Sequence, residues 1–513
     1  MDAKRNVESA VEVDGMGCRT KTREEKREVR KGAMAYEGGD GTKEVSRLDE
    51  ERFMRWLKEN GAKFPKIVWP ARTTVQGVRG TVAIDDIESG EVMLEIPLKL
   101  MICPQNCRAS KRIGHVFAET SLFQYGEVGS DLISVFLMHE KILGVESFWY
   151  PYIKMLPDPA TICKWSDAQL KELQDDSLVR TARTKRNRSR LRYLRLFNRL
   201  RNRFPEDFPE DTYTEDLFRW ASLTVAARAF GRRLDYMALV PFADNLNHSN
   251  VQTKYDFDFE ENGVFRLFPT GSNRYRKGHE VFNSYGRRDN AHLLLHYGFA
   301  MAHNEHDRLP ISVEVSDAAP AMEDRVMLLR RAKIYRREVF RLRSDRFEWG
   351  TLLFHRVAVL SASAASDLAD SARSSDDGGS LMMRSPLGLE AEARALRATV
   401  RYYRTFLASE FPTTIVEDAN LLAEKDLNME LRQAVCYRIT RKAIVHKNLR
   451  VLQIMISVVT AMLSADINGD GGASEKVKDA ISTLKGHVSS FRETGMFDAW
   501  IGELRRPTPG LSL

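Results

Sequence analysis

Two polar and aromatic motifs, about forty residues apart, constrain this chain more than any other feature. The first, LVPFADNLNHSN, ends an apolar stretch with side chains that can form hydrogen bonds. The second, FNSYGRRDNAHLLLHYGF, places aromatic residues on both sides of a short helix-like stretch. An isolated Asn-His pair is typical of a turn, whereas both motifs in this order indicate one shared site. The candidate residues are Asp244, Asn247, His248, Tyr285, Tyr297 and Phe299.

A block upstream of these motifs has the character of short strands. In GVRGTVAIDDIESGEVMLEIPLKLMI, brief apolar stretches alternate with turns rich in glycine and aspartate, which predicts strands and hairpins. Residues 131–215 have apolar positions at helical spacing. Helical spacing also dominates after Arg308, apart from the strand-like LPISVEV. The chain therefore combines short strands with many helices.

Taken together, the motifs resemble those of the SET-domain protein methyltransferases, in the branch that includes the plant Rubisco large-subunit lysine methyltransferase. The upstream match rests on Arg79-Gly80, Ala83, Asp86-Ile87, Gly90-Glu91, Leu94 and Ile96-Pro97. The segment FPTTIVEDANLLAEKDLNMELRQAVCYRITRK resembles, more loosely, the helical substrate-binding lobe of that branch. The resemblance implies an α+β protein: a strand-rich, pseudo-knotted SET domain with a helical insertion, followed by an all-α carboxy-terminal lobe.

We therefore expect four regions along the chain. Residues 1–45 are rich in charge and poor in apolar positions, which predicts a disordered tail. Residues 50–305 should form the SET domain, with the helical insertion at 131–215. Residues 306–513 should form the substrate-binding-like lobe. Within it, residues 361–388 are small and polar, and we expect a mobile loop there.

The resemblance also implies a role for each candidate residue. Tyr285 is the implied catalytic residue, whose hydroxyl orients the attacking amine and stabilises charge in the transition state. The implied cofactor is S-adenosyl-L-methionine, bound by Glu91, Met93, Arg228, Asp244, Asn247, His248, Tyr285 and Tyr297. The implied substrate channel is lined by Phe230, Tyr297 and Phe299. One departure from the family pattern is Ala227, which stands where the family has a serine before the arginine.

The function implied by the resemblance is N-methylation of a lysine in a non-histone protein. Because the reference pKa of lysine is near 10.4, making the free amine at neutral pH costs roughly 4–5 kcal/mol. A narrow, apolar, aromatic channel lowers this cost by disfavouring the ammonium form, and it also aligns the amine. A cysteine-rich zinc segment, which many histone-directed SET enzymes carry, does not follow Phe299.

Two alternative functions remain open at this point. The first is a protein-histidine N-methyltransferase; an aromatic ring at Phe230 suits the aliphatic stem of lysine better than an imidazole. The second is a catalytically silent binding scaffold with the SET fold. The joint presence of Arg228, Asn247, His248 and Tyr285 speaks against this second reading.

A stretch in the predicted insertion is strongly basic. Residues 180–203 contain eleven arginines or lysines. A solvated helix face is the favoured interpretation over a surface for an acidic partner or nucleic acid, since only two aromatic residues interrupt the stretch. The net charge of +7 is small beside 78 basic and 71 acidic residues, so it indicates solubility and no nucleic-acid partner is expected.

The remaining expectations concern location, metal binding, oligomeric state and the docking of the substrate. The sequence lacks a run of eighteen apolar residues, a secretory signal and an arginine-rich transit peptide, so we expect no membrane partner and a cytoplasmic or nuclear location. Five scattered cysteines suit a reducing compartment, and Cys103 and Cys107 lack the further ligands of a metal site. We expect a monomer whose lobe docks the protein substrate through basic helices that carry Arg330, Arg337 and Arg341.

Overall fold

A computed structural model describes residues 46–72, 79–123, 129–231, 237–257, 263–374, 386–424, 426–468, 473–492 and 494–505. The predicted tail, residues 1–45, lies outside the described residues. The described chain divides into two compact units, and the main boundary falls between Phe299 and Ala300. The amino-terminal unit contains residues 46–170 and 176–299. The carboxy-terminal unit contains the described residues from 300 onward together with Lys171–Asp175.

The amino-terminal unit combines short strands with helices, which agrees with the predicted α+β class. Its strands are β1 (Ile67–Arg72), β2 (Arg79–Ala83), β3 (Leu94–Pro97), β4 (Thr253–Phe257) and β5 (Val264–Pro269). Its helices are α1 (Arg47–Glu59), α2 (Pro104–Arg108), α3 (Gly114–Ala118), α4 (Ser130–Leu143), α5 (Tyr150–Met155), α6 (Asp167–Lys171, whose last residue is assigned to the other unit), α7 (Asp176–Arg203), α8 (Glu215–Arg228) and α9 (Asn290–Tyr297).

The sheets of this unit are small and antiparallel. β1 pairs with β2, and β5 lies between β3 and β4 in a three-stranded sheet. Leu94 and Ile96 of β3 are fully buried and pair with Leu267 and Phe265 of β5, as expected for strands that bury one face at a period of two. The same core contains Phe53, Trp56 and Leu57, which lie on one face of α1.

Helices α4 to α7 occupy the predicted insertion. α4 is buried on almost every side along its first nine residues, which explains why the run from Leu132 to Met138 is apolar on more than one face. The long basic helix α7 buries Leu178, Ala182, Tyr193, Phe197 and Leu200, among others, along one side. Its remaining surface carries most of the arginines. A helix with this many charges can therefore still pack one apolar side against the unit.

Segments distant in sequence meet next to the candidate motifs. His248 pairs with Asn283 in a short parallel bridge, and the N–H of Asn283 donates to the carbonyl of Asn247 at 2.8 Å. On the other side of this crossing, the Thr81 hydroxyl donates to the carbonyl of Val281 at 2.9 Å. The bond from Thr81 joins the two halves of the unit, which the helical insertion separates in sequence, and the bonds at Asn283 bring the two motifs together beside it.

The carboxy-terminal unit is mainly helical but begins with a two-stranded sheet. β6 (Arg308–Glu314) pairs antiparallel with β7 (Arg337–Arg343). The strand-like LPISVEV thus has a partner, REVFRLR, so the lobe is not wholly helical. The helices are α10 (Met322–Arg331), α11 (Trp349–Ala358), α12 (Ala362–Ser374), α13 (Leu389–Glu410), α14 (Ile415–Leu422), α15 (Met429–Asn468), α16 (Ala473–Val488) and α17 (Gly495–Leu504).

Two sequence expectations about this unit were wrong in detail. The first half of the expected mobile loop, 361–388, is helix α12, because Ala365, Leu368 and Ala372 form a buried stripe at helical spacing. Residues 375–385 lie outside the described residues. The second error concerns the basic docking helices: Arg330 lies on α10, but Arg337 and Arg341 lie on strand β7.

Buried ion pairs fasten the carboxy-terminal unit. Arg438 of α15 is only 2% exposed and pairs with Asp418 of α14 at 2.9 Å and with Glu172 at 3.0 Å. Arg441 pairs with Asp175 at 3.0 Å. The five-residue segment Lys171–Asp175 therefore supplies two carboxylates to helix α15 and belongs to this unit.

One described helix, Met429–Ala465 within α15, is long and apolar enough to cross a membrane by length and composition alone. Half of its most apolar window is buried inside the unit. Among the buried residues are Val451, Leu452, Met455 and Val459, which belong to the main apolar core of the unit. A central core helix of a globular domain has the same composition.

Candidate active site

The Asn247-His248 pair lies at the crossing of the two motifs. The Asn247 side-chain amide donates to Glu280 Oε1 at 2.8 Å and to the carbonyl of Arg79 at 3.3 Å. Nδ1 of the buried His248 accepts from the N–H of Tyr285 at 3.1 Å. The contact between His248 and Tyr285 therefore links the first motif to the second, and the side chain of Asn247 is held by Glu280 and by strand β2.

Tyr285 stands at the centre of an aromatic cluster. Its ring stacks on His248 with centroids 5.0 Å apart and lies 4.8 Å from the ring of Tyr297. Phe299 completes the cluster, at 6.2 Å from both His248 and Tyr297. The Tyr285 hydroxyl donates to the carbonyl of Leu246 at 3.0 Å, which fixes its position. Burial raises the pKa of Tyr285 well above the usual value, so the phenol stays protonated at neutral pH.

Arg228 and Asp244 form a buried ion pair beside this cluster. Nη1 of Arg228 donates to Asp244 Oδ2 at 3.1 Å and to the Asp244 carbonyl at 3.0 Å. The hydroxyl of Tyr152, on α5, donates to the same Oδ2 at 2.8 Å. Burial raises the pKa of the Asp244 carboxyl, and the charge of Arg228 opposes that rise. The arrangement holds the end of α8 against the loop that carries Asn247.

Phe230, Glu91 and Met93 lie in other surroundings. Phe230 packs edge-on against Phe265 and Tyr255 of the three-stranded sheet, with centroids 5.0 and 5.4 Å away. Glu91 pairs with Lys66 at 2.6 Å, and this hydrogen bond lowers the pKa of Glu91. The N–H of Met93 donates to the carbonyl of Leu267 at 2.8 Å, so this backbone amide takes part in pairing with β5.

The sequence analysis did not identify Tyr152, Glu280 or Asn283 as parts of this site. Tyr152 is fully buried and bonded to Asp244, and Glu280 holds the amide of Asn247. Asn283 contributes both its N–H and its carbonyl to the crossing, and its side chain accepts from Thr253 at 2.8 Å. Glu280 lies two positions before FNSYG and Asn283 is the second residue of that motif, so their positions were an available signal. Tyr152 lies outside both motifs, and its local sequence carries no such signal.

Comparison with known proteins shows what this chain is similar to. Residues 316–445 match the model of the Rubisco LSMT substrate-binding family. The chain is 28% identical over 286 residues to the chloroplastic Rubisco large-subunit N-methyltransferase of Pisum sativum, an alignment that covers 54% of this chain and 56% of that enzyme. It is 29% identical over 405 residues to the chloroplastic fructose-bisphosphate aldolase-lysine N-methyltransferase of Arabidopsis thaliana, covering 77% and 81%.

Relatives with a different acceptor also match. The actin-histidine N-methyltransferase of Papio anubis is 26% identical over 409 residues, covering 77% of this chain and 66% of that protein. Among solved structures, Rubisco LSMT bound to sinefungin and monomethyllysine superposes with a TM-score of 0.60 at 25% identity, covering 80% of this chain and 93% of that one. The chain is therefore similar in sequence and in fold to the SET-domain protein methyltransferases of the LSMT branch, and its residues 316–445 match the Rubisco LSMT substrate-binding family.

Proposed function

We propose that this protein is an S-adenosyl-L-methionine-dependent protein N-methyltransferase that modifies a lysine of a non-histone protein. The observation that carries the proposal is the Tyr285 hydroxyl, which is fixed at 3.0 Å from the Leu246 carbonyl inside the cluster of Tyr297, Phe299 and His248. Such a cluster presents aromatic faces and a neutral hydroxyl to a side chain that enters it. These are the features that a channel for an uncharged amine requires.

The polar groups of the loop fit the amino-acid end of the proposed cofactor. Asp244 Oδ1 and Asn245 Nδ2 are buried and form no hydrogen bond with the part of the chain that the structure describes. One is an acceptor suited to an ammonium group, and the other is a donor suited to a carboxylate. Buried polar atoms are normally paired, so these two favour a ligand with both groups at this loop. Arg228, Asn247 and His248 lie on the same loop or against it.

When bound, S-adenosyl-L-methionine would supply an electrophilic methyl group on a positively charged sulfur. The protein's own residues would then act on the incoming amine. Tyr297 and Phe299 would exclude water and disfavour the ammonium form. Because burial raises the pKa of Tyr285, its phenol cannot remove the proton of lysine at neutral pH. Tyr285 would instead orient the amine, so the lysine must lose its proton before or during entry to the cluster.

Histidine is the second candidate acceptor, because actin-histidine methyltransferases match over the same share of the chain as the aldolase-lysine enzyme. The aromatic cluster of Tyr285, Tyr297 and Phe299 favours lysine, since an imidazole needs a polar partner for its second nitrogen. The substrate-binding domain supports a protein as the acceptor. We propose a location of this protein in the cytoplasm or nucleus, whereas the two plant relatives are described as chloroplastic. The identity of the acceptor protein is left to the experiment.

The test is transfer of a labelled methyl group from S-adenosyl-L-methionine into a whole-cell lysate, followed by mass spectrometry of the modified residue. The Tyr285→Phe protein, matched in concentration and folding, is the control. Label on lysine that depends on Tyr285 is the expected result. Label on histidine would mean that the acceptor is histidine and not lysine. If well-folded protein neither transfers a methyl group nor binds S-adenosylhomocysteine, the SET unit is a silent scaffold and the proposal is wrong.

A further inference from the structure

Helix α7 has an unusual distribution of charge. It spans Asp176–Arg203, and after Asp176 it contains no acidic residue, although eleven arginines or lysines follow. Beyond its first turn, such a sequence gives many repulsive pairs within the helix and no attractive ones. The cations must therefore find their partners outside the helix or remain unpaired.

Most of these cations have an ion-pair or hydrogen-bond partner in neighbouring parts of the amino-terminal unit. Arg183 pairs with Asp167 at 3.0 Å, Arg203 with Glu119 at 2.9 Å, and Arg186 donates to the carbonyl of Cys163 at 2.8 Å. Altogether eight of the eleven have an ion-pair or hydrogen-bond partner. Arg180, Arg188 and Arg195 differ, because they form no ion pair with any described residue and are exposed.

These three arginines share one face with two exposed leucines. Leu191 is 51% exposed and Leu194 is 48% exposed. At about 100° per residue, Arg180, Arg188, Leu191, Leu194 and Arg195 fall within an arc of roughly 120°. We call these five residues the basic-leucine face. It extends about 22 Å along the helix, from a rise of about 1.5 Å per residue, and lies opposite the side that buries Ala182 and Leu200.

We propose that the basic-leucine face binds an acidic protein segment that carries apolar side chains beside its carboxylates. Unpaired arginines attract carboxylates and can bind them through two parallel hydrogen bonds. Leu191 and Leu194 lie between those arginines, and burying their side chains against an apolar partner surface is favourable. A purely acidic partner would leave these leucines in water. The partner must therefore carry both carboxylates and apolar side chains.

The same observations disfavour two other occupants. A single-stranded nucleic acid needs aromatic rings on which bases stack. The two aromatics of the helix, Tyr193 and Phe197, are buried on its other side. A membrane surface needs a broad apolar face. This face offers two leucines among three arginines.

The inference does not depend on methyl transfer, so binding tests it directly. The probe is a labelled synthetic peptide of about three heptads, in which glutamates surround leucines at i and i+3 spacing. An oligoglutamate of equal charge, a DNA oligonucleotide and anionic lipid vesicles are compared with it by fluorescence anisotropy or co-sedimentation. The full chain should bind the glutamate-leucine peptide most tightly, with an affinity that falls as salt is added.

Matched variants separate specific binding from net charge. Arg188→Glu with Arg195→Glu should weaken peptide binding by at least about tenfold. Arg55→Glu with Arg274→Glu changes the net charge equally at exposed positions elsewhere in the unit and should leave binding within about twofold. Leu191→Ser with Leu194→Ser should weaken the glutamate-leucine peptide and not oligoglutamate. If the charge-reversed protein misfolds by circular dichroism, Arg188→Gln with Arg195→Gln provides the same test.

Three results would overturn the proposal. The first is equal loss in the Arg55 and Arg274 control, which would mean non-specific attraction. The second is tighter binding of DNA or vesicles than of the peptide. The third is a serine double variant that binds both peptides as the parent does, since the leucines would then have no part in recognition.

Discussion

The replacement Asp244→Asn should destabilise the amino-terminal unit by about 3 kcal/mol, because it removes the charge partner of Arg228 and keeps the volume. Oδ2 of Asp244 accepts from the Tyr152 hydroxyl at 2.8 Å and from Arg228 at 3.1 Å. The Asp244 side chain is completely buried, whereas that of Arg228 is 21% exposed. Breaking a fully buried pair costs about 3–5 kcal/mol. The partial exposure of Arg228 places the expected loss at the lower end.

The assay is urea unfolding of the parent and variant, followed by tryptophan fluorescence. For a unit of this size, a slope of roughly 3 kcal/mol per molar urea turns the loss into a midpoint shift of about 1 M. Asp167→Asn is the matched control: Asp167 pairs with Arg183 at 3.0 Å, and their side chains are 66% and 46% exposed. That change should cost less than about 1 kcal/mol. Equal, small losses in the two variants would refute the view that Asp244 holds Arg228 in place.

Three further predictions address the site, the ionisation of the lobe and its surface. Tyr285→Phe should lower methyl transfer by about tenfold or more, roughly 1.4 kcal/mol of barrier, with S-adenosylhomocysteine affinity by calorimetry nearly unchanged; parental turnover would remove its catalytic role. Burial lowers the pKa of Lys442 to about 8 in the folded lobe, whereas it is 10.5 in the unfolded chain. The unfolded chain therefore binds more protons than the folded protein between these two pH values, so the free energy of unfolding should rise as the pH increases through this range. Urea titrations should show a larger rise in the parent than in Lys442→Met. Arg341→Glu, at an exposed position on β7, should raise the apparent KM for a protein substrate and leave methylation of a short peptide unchanged; a parallel fall in both would assign the residue to folding.

The sequence predicted the α+β class, the resemblance and the main motifs because these depend on local spacing and on a rare combination of residues. It failed where tertiary partners decide the outcome. β7 has the composition of a basic surface stretch, and only its pairing with β6 makes it a strand. The small, polar residues of helix α12 predict a loop, and only the burial of Ala365 and Leu368 against the rest of the unit explains the helix.

The site shows the same division. Asn247, His248 and Tyr285 stand in recognisable motifs and do meet in space. Tyr152 could not be found, because its contact with Asp244 joins residues 92 positions apart and leaves no local pattern. The place of Phe230 in the substrate channel stays a prediction that rests on its motif; its ring packs edge-on against the three-stranded sheet. Side-chain direction at the end of a strand or helix is set by neighbours that spacing does not reveal.

The segment Lys171–Asp175 makes the carboxy-terminal unit discontinuous in sequence, which matters for anyone who dissects or recombines this protein. A polypeptide that starts at residue 300 would lack Glu172 and Asp175, and Arg438 and Arg441, 2% and 7% exposed, would lose these carboxylates. A fragment of that kind should be insoluble, while one in which the five-residue segment is restored, by fusion or as a peptide, should fold. Chimaeras between relatives that exchange substrate-binding lobes therefore need to exchange this pentapeptide as well, although it lies in the middle of the SET-domain sequence.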